Sequence, residues 1–182
     1  MEKGLMKGNE ALAEAMVRAG CRFFSGYPIT PQSEIPEYFA RELPPRGGLF
    51  LQAESEMAAM NMVMGASAAG GRVMTSTSGP GYCLKLEALA AMALTRLPAV
   101  VVVVMRSGPA FGTMKAAQED YRMTGNGGYK VVTFAPSDVQ EAAAMVYEAF
   151  DIADQYRNPV VILGPVMGAV AAVLLYGVIP WA

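Results

Sequence analysis

The chain has 182 residues, 53% apolar and 16% charged, which is material for one domain with a substantial core and too little for two full ones. A balance of 14 basic and 16 acidic residues gives a net charge of −2, so the basic face that nucleic-acid binding needs is missing. Histidine is absent, which excludes Ser-His-Asp or Cys-His catalysis within the chain and any His-liganded metal site. The two cysteines, Cys21 and Cys83, are too few for an iron–sulfur cluster or a structural zinc.

Two isolated thiols point to a reducing, cytoplasmic compartment. Residues 1–10 carry two lysines and two glutamates, unlike an export signal. Apolar spacing predicts a helix over 10–19, with Ala11, Leu12, Ala15 and Met16 on one face and Gly20 ending it. A short apolar run, 21–27, is broken by Pro28 and Pro31, and a second helical pattern covers 32–43. A strand is expected at 48–53. The Ala- and Met-rich segment 55–70 reads as a helix buried nearly all round. A strand at 72–77 runs into the loop Ser78, Gly79, Pro80 and Gly81, and a helix follows at 84–95. The valine run inside 99–105 has the composition of a parallel strand covered on both faces. After a polar, glycine-rich stretch, 106–128, come a strand at 130–134, a helix at 137–155 and a strand at 159–163.

Strand and helix thus alternate roughly five times, which predicts an α/β fold with a doubly wound, mostly parallel sheet and helices on both faces. Ligands of such folds bind at the carboxyl ends of the strands. Four segments immediately follow strands there: 27–32, 54–56, 75–81 and 106–113. In the second, Glu54 and Glu56 open a helix, where carboxylates serve as caps and are favoured by the macrodipole. The alternative is chemical: a carboxyl entering a wall of Met and Ala loses solvation and can exchange a proton near neutral pH. In the third, small hydroxyl residues and glycines either make a tight turn or let backbone approach a ligand. No Walker sequence or GxGxxG is present. In the first, two prolines around Thr30 either stiffen a strand exit or fix one hydroxyl for a small carboxylate or carbonyl. Arg106, at the end of the valine strand, pairs with a structural carboxylate or receives an anionic substrate.

The stretches 8–44, 50–81, 97–109 and 135–164, with YPITP at 27–31 and ESEMAA at 54–59, resemble the alpha subunit of 2-oxoacid:ferredoxin oxidoreductases, their pyrimidine-binding domain. The likeness is greatest to the branched-chain (3-methyl-2-oxobutanoate) and 2-oxoglutarate enzymes. The resemblance implies a thiamine-diphosphate enzyme split between subunits, with the doubly wound sheet as its fold. Glu56 would contact N1′ of the aminopyrimidine ring and share a proton with it. Deprotonation of the thiazolium then follows, and a 2-oxoacid is decarboxylated oxidatively to an acyl-coenzyme A with electrons to ferredoxin. Thr30 and Arg106 would bind the substrate's carboxylate and carbonyl. Tyr27, Pro28, Ser78 and Gly79 would line the cofactor pocket, and Glu54 would be a non-catalytic neighbour.

No segment for magnesium and diphosphate, and no cysteine cluster, occurs in this sequence. In the family these lie on other chains or domains, so the expected partners are a thiamine-diphosphate-binding beta subunit and iron–sulfur or gamma subunits. The expected organisation is a pyrimidine-binding domain over 1–164 and an apolar tail, 165–182, without family match. Residues 164–182 carry no charge, yet Pro165 and Pro180 and the lack of basic flanks argue against a membrane helix. The competing reading is a truncated, non-catalytic assembly partner.

Overall fold

The computed structural model describes residues 6–107, 114–126 and 128–165. The chain runs α1 (Gly8–Arg18), β1 (Phe23–Gly26), α2 (Glu34–Glu42), β2 (Leu49–Gln52), α3 (Glu56–Ala68), β3 (Val73–Thr77), α4 (Pro80–Thr95), β4 (Val100–Val104), β5 (Val132–Phe134), α5 (Val139–Tyr156) and β6 (Val160–Gly164). The six strands form one sheet in the order β2-β1-β3-β4-β6-β5, and every neighbouring pair is parallel. The doubly wound α/β architecture expected from the alternation is the one observed.

The valine strand explains why the sheet is covered twice. In β4, Val100, Val102 and Val104 point to one face and join α1, α2 and α5 in a core with Leu12, Met16, Phe24, Phe39, Val146 and Phe150. Val101 and Val103 point to the other face and pack with Met60 and Val63 of α3 and Leu89 and Met92 of α4. All five valines are buried. A period of two along one strand therefore feeds two cores.

Two expectations change. The segment 55–70 is a helix, but its burial is one-sided. Ala59, Met60, Val63 and Ser67 are buried, whereas Met57 is 49% and Met62 37% exposed. The sheet and α4 cover only one side of a helix that is apolar all round. The helix expected to start at Leu84 begins at Pro80, whose fixed φ suits a first helical turn, so part of the 78–81 loop is helix.

Away from the strands' carboxyl ends, charges are paired. Glu14 of α1 accepts from Arg18 Nε (2.5 Å), Arg46 Nη1 (2.6 Å) and Tyr38 Oη (2.7 Å). Burial would raise its carboxyl, but these bonds hold it below the usual carboxylate value. Arg72 donates to the carbonyl of Ala19 (2.7 Å), Asp151 (2.7 Å) and Asp154 (2.8 Å), tying the α1 exit to α5. Among the described residues no helix is long and apolar enough to cross a membrane. The expectations for 166–182 and for 108–113 fall outside the described residues.

Candidate active site

The four segments singled out in the sequence follow β1, β2, β3 and β4, which are neighbours in the sheet. The chain leaves β1 toward β2 on one side and later returns to β3 on the other. The crevice where these connections diverge is the place where parallel sheets open to ligands.

Glu56 is the first residue of α3 and is only 6% exposed. The helix is capped by Ser55, whose hydroxyl accepts from the Ala58 amide (3.1 Å). Glu54 is exposed and takes no part in that cap. The two glutamates are therefore not a capping pair, and Glu56 alone is turned inward. A Cβ added at Gly81 would lie 2.6 Å from Glu56 Oε1, so the carboxylate rests on bare backbone at the start of α4. Among the described residues its oxygens make no hydrogen bond or ion pair, and they keep some accessible surface, unlike the fully enclosed unbonded atoms nearby.

Around this carboxylate lie further polar atoms without partners. Thr77 Oγ1, Ser78 Oγ, Arg106 Nε and Asp120 Oδ1 are all buried and unbonded among the described residues. Arg106, 7% exposed, donates from Nη1 to the carbonyl of Thr30 (2.8 Å). Its guanidinium also lies against Gly79, where an added Cβ would come within 2.9 Å of Cζ. Gly79 has φ +51°, a conformation that side chains rarely adopt. Thr30 thus meets Arg106 through its backbone. The residue is exposed, and the Thr30–Pro31 peptide is cis.

Tyr27 and Pro28 are exposed at the rim, and their loop is held from below. Buried Gln32 donates to the Tyr27 carbonyl (3.1 Å) and accepts from Ser76 Oγ of β3. Asn9 donates to the Pro31 carbonyl (2.8 Å). The structure thus joins Thr30, Gly79 and Arg106 by direct contact and sets Glu56 against Gly81, two residues from Gly79. No hydrogen bond among the described residues joins Glu56 to Tyr27 or Pro28.

Three residues missed in the sequence complete the arrangement. Asp120, fully buried, accepts with Oδ2 from the amides of Gly79 (3.0 Å) and Arg106 (3.0 Å) and so locks the β3 and β4 exits together. It lies in the polar 106–128 stretch, where nothing local marks it. Gln32 adjoins YPITP and reads there as an ordinary helix opener. Lys85 is also fully buried, donating to the Glu56 carbonyl (3.2 Å) and Thr75 Oγ1 (3.0 Å). Burial pushes it down to about 7, against the attraction of Glu56. Its signal was present: Tyr82, Lys85, Leu89 and Met92 form one helical stripe, and a lysine in an apolar stripe is out of place.

An isolated carboxylate, unpaired donors and acceptors and two close-approach glycines gather at this end of the sheet. Such a site can hold a heterocycle at a carboxylate and an anion at a guanidinium.

Comparison with known proteins shows the family of the chain. A ketoisovalerate oxidoreductase subunit, VorB, of Methanothermobacter thermautotrophicus is 48% identical over 181 residues, covering 97% of this chain and 51% of that protein. A 2-oxoglutarate synthase subunit, KorA, of Methanocaldococcus jannaschii is 45% identical over 168 residues, covering 90% of this chain and 46% of the relative. The chain therefore spans about half the length of the curated relatives it matches. Its fold superimposes with a TM-score of 0.87, at 36% identity, on 2-oxoglutarate:ferredoxin oxidoreductase from Magnetococcus marinus, solved with 2-oxoglutarate, coenzyme A and succinyl-CoA bound. That match covers 92% of this chain and 30% of the solved one. The family described as pyruvate flavodoxin/ferredoxin oxidoreductase, thiamine diphosphate-binding, matches residues 14–165, and the chain belongs to it.

Proposed function

We propose that this chain supplies the aminopyrimidine-contacting half of a thiamine-diphosphate-dependent 2-oxoacid:ferredoxin oxidoreductase. The observation that carries the reading is Glu56, a buried carboxylate with no hydrogen-bond partner among the described residues, at the ligand-binding end of a parallel sheet. The residues fit the cofactor. Gly81 leaves room beside the carboxylate that a Cβ would fill, and Thr77 Oγ1 and Ser78 Oγ are free to bond a ring. When bound, thiamine diphosphate supplies a nucleophilic carbon for attack on the 2-oxoacid carbonyl and a sink for the electrons left by decarboxylation.

The chain's own residues orient, shield and exchange protons. Glu56 holds or gives a proton at the pyrimidine N1′. Arg106 offers its guanidinium to the substrate's carboxylate or carbonyl. Asp120 fixes the backbone at Arg106, and the Thr30 carbonyl steers one of its nitrogens. The Thr30 hydroxyl adds a second polar contact to the substrate. Tyr27, Pro28, Ser78 and Gly79 wall the cofactor. Magnesium, the diphosphate site and the iron–sulfur clusters belong to partner subunits, and the complex works in the cytoplasm. The likeness to ketoisovalerate and 2-oxoglutarate subunits supports a branched-chain 2-oxoacid or 2-oxoglutarate as substrate.

The test is reconstitution with the thiamine-diphosphate-binding subunit from the same source. The readout is anaerobic, 2-oxoacid- and coenzyme A-dependent reduction of a viologen dye. Activity that Glu56→Gln abolishes is expected. Stable assembly without activity would replace this reading with that of a structural partner.

A further inference from the structure

Lys85 is unused by the reaction described above, yet it is placed against its central residue. A lysine is rarely buried without an ion pair, because removing an ammonium from water costs several kcal/mol. Here the Nζ sits between α4, α3 and β3. Two of its three N–H groups reach the Glu56 carbonyl (3.2 Å) and Thr75 Oγ1 (3.0 Å). Both partners are neutral, so they satisfy the donors without cancelling the charge. The charged group that acts on Lys85 is Glu56 itself, while Thr75 on β3 does not titrate in this range. Among the described residues no ion pair holds the lysine in place, in contrast to Arg72 or Arg46. For fold stability alone an apolar residue of similar length would serve better.

Resting on the reading of Glu56 as the group that shares a proton with the pyrimidine, we infer that Lys85 is a positioning residue for Glu56. Its buried ammonium anchors the first turn of α3 through the Glu56 carbonyl. Its positive charge on that side of Glu56 also biases a shared proton toward the bound base. Two observations carry this: direct bonding to the backbone of the functional residue, and a buried cation with no ion pair among the described residues. Without the cation that bias is lost. The titration of Lys85 near neutral pH gives the site a second ionisation, independent of substrate, that weakens this bias as pH rises.

The test uses the reconstituted complex and the near-ultraviolet circular dichroism of bound thiamine diphosphate, followed against pH. In Lys85→Met the midpoint is expected to rise by about one pH unit, a tenfold change in proton affinity. In Lys85→Arg, which keeps the charge, it should stay near wild type. A Lys85→Met complex that binds cofactor with an unchanged midpoint overturns the proposal. The full chain alone gives a second measurement that needs no cofactor, in which the Lys85 ammonium is titrated by nitrogen-15 NMR. Glu56→Gln should lower its midpoint, and an unmoved midpoint also overturns the proposal. If the midpoint moves but Glu56→Gln leaves the bound cofactor's spectrum intact, the cofactor assignment of Glu56 is what fails, and the coupling of the two residues stands. Thermal denaturation of Lys85→Met at neutral pH separates these from a structural role, which predicts a clear loss of stability.

Discussion

Glu14 and Glu56 are both buried carboxylates on helices of one small domain, and they are handled in opposite ways. Glu14 is satisfied by three donors from α1, α2 and the turn at Arg46, so its charge is stabilised and its geometry fixed. Glu56 has no such donors among the described residues and rests on a glycine beside other unbonded polar atoms. On the proposed function, the contrast separates a carboxylate that holds the fold from one held ready for something outside the chain. Burial alone does not mark a functional residue; burial without partners does.

The sharpest way to break this comparison is to neutralise both. Glu56→Gln should cut turnover of the assembled enzyme by about 10²- to 10⁴-fold and leave the chain folded. Glu14→Gln should leave turnover near wild type. A loss of activity in both, or in neither, would end the distinction.

The next effect concerns pH. Lys85 sits near 7 in the folded chain against 10.5 unfolded. Between these values the unfolded chain holds more protons, so folding is favoured as pH rises. The penalty for burying the ammonium is complete below pH 7 and disappears toward 10.5. Wild type should therefore gain on Lys85→Met across that window by a few kcal/mol, measured by urea denaturation at each pH. Glu14 has the opposite sign. Its lowered carboxyl gives stability that is present above the ordinary carboxylate value and lost as pH falls through the folded value. Glu14→Gln should cost about 2 kcal/mol at neutral pH, discounted because Arg18 and Arg46 are partly exposed, and should flatten the acid limb.

A smaller effect sharpens the cradle argument. Gly81→Ala places a Cβ against Glu56 and Thr77, and either the carboxylate or the helix start must shift. Cofactor affinity of the complex should fall about tenfold, read by calorimetric titration, with circular dichroism of the chain unchanged. Smallest of all is Glu54→Gln. Being exposed, it should change turnover less than about twofold and stability by less than about 0.5 kcal/mol.

The strand–helix order and the four exits were legible because hydrophobic period and Gly/Pro punctuation are local properties. Glu56, Arg106 and Gly79 were found for the same reason, since each follows a strand directly. Three features were hidden. The exposure of Met57 and Met62 depends on which side of an all-apolar helix the sheet takes, and composition does not say which. Asp120 acquires its role only when the β3 and β4 exits meet. Lys85 was visible as a cation in an apolar stripe, but its partner lies on a different helix, and that pairing is a property of the tertiary fold.

The position of β6 has a consequence for how the chain is made. It is the last strand among the described residues, yet it lies between β4 and β5, bonding Val100–Val104 on one side and Val132–Phe134 on the other. During synthesis β2, β1, β3 and β4 can pair as they appear, while β5 has no neighbour and one flank of β4 stays open. Only when residues 160–164 arrive do both edges close, and α5 gains a sheet to pack on. A nascent chain stalled short of Val160 therefore carries two unpaired strand edges beside an apolar helix, the condition in which chains misassociate. Arrival of those five residues joins β4 and β5 through β6.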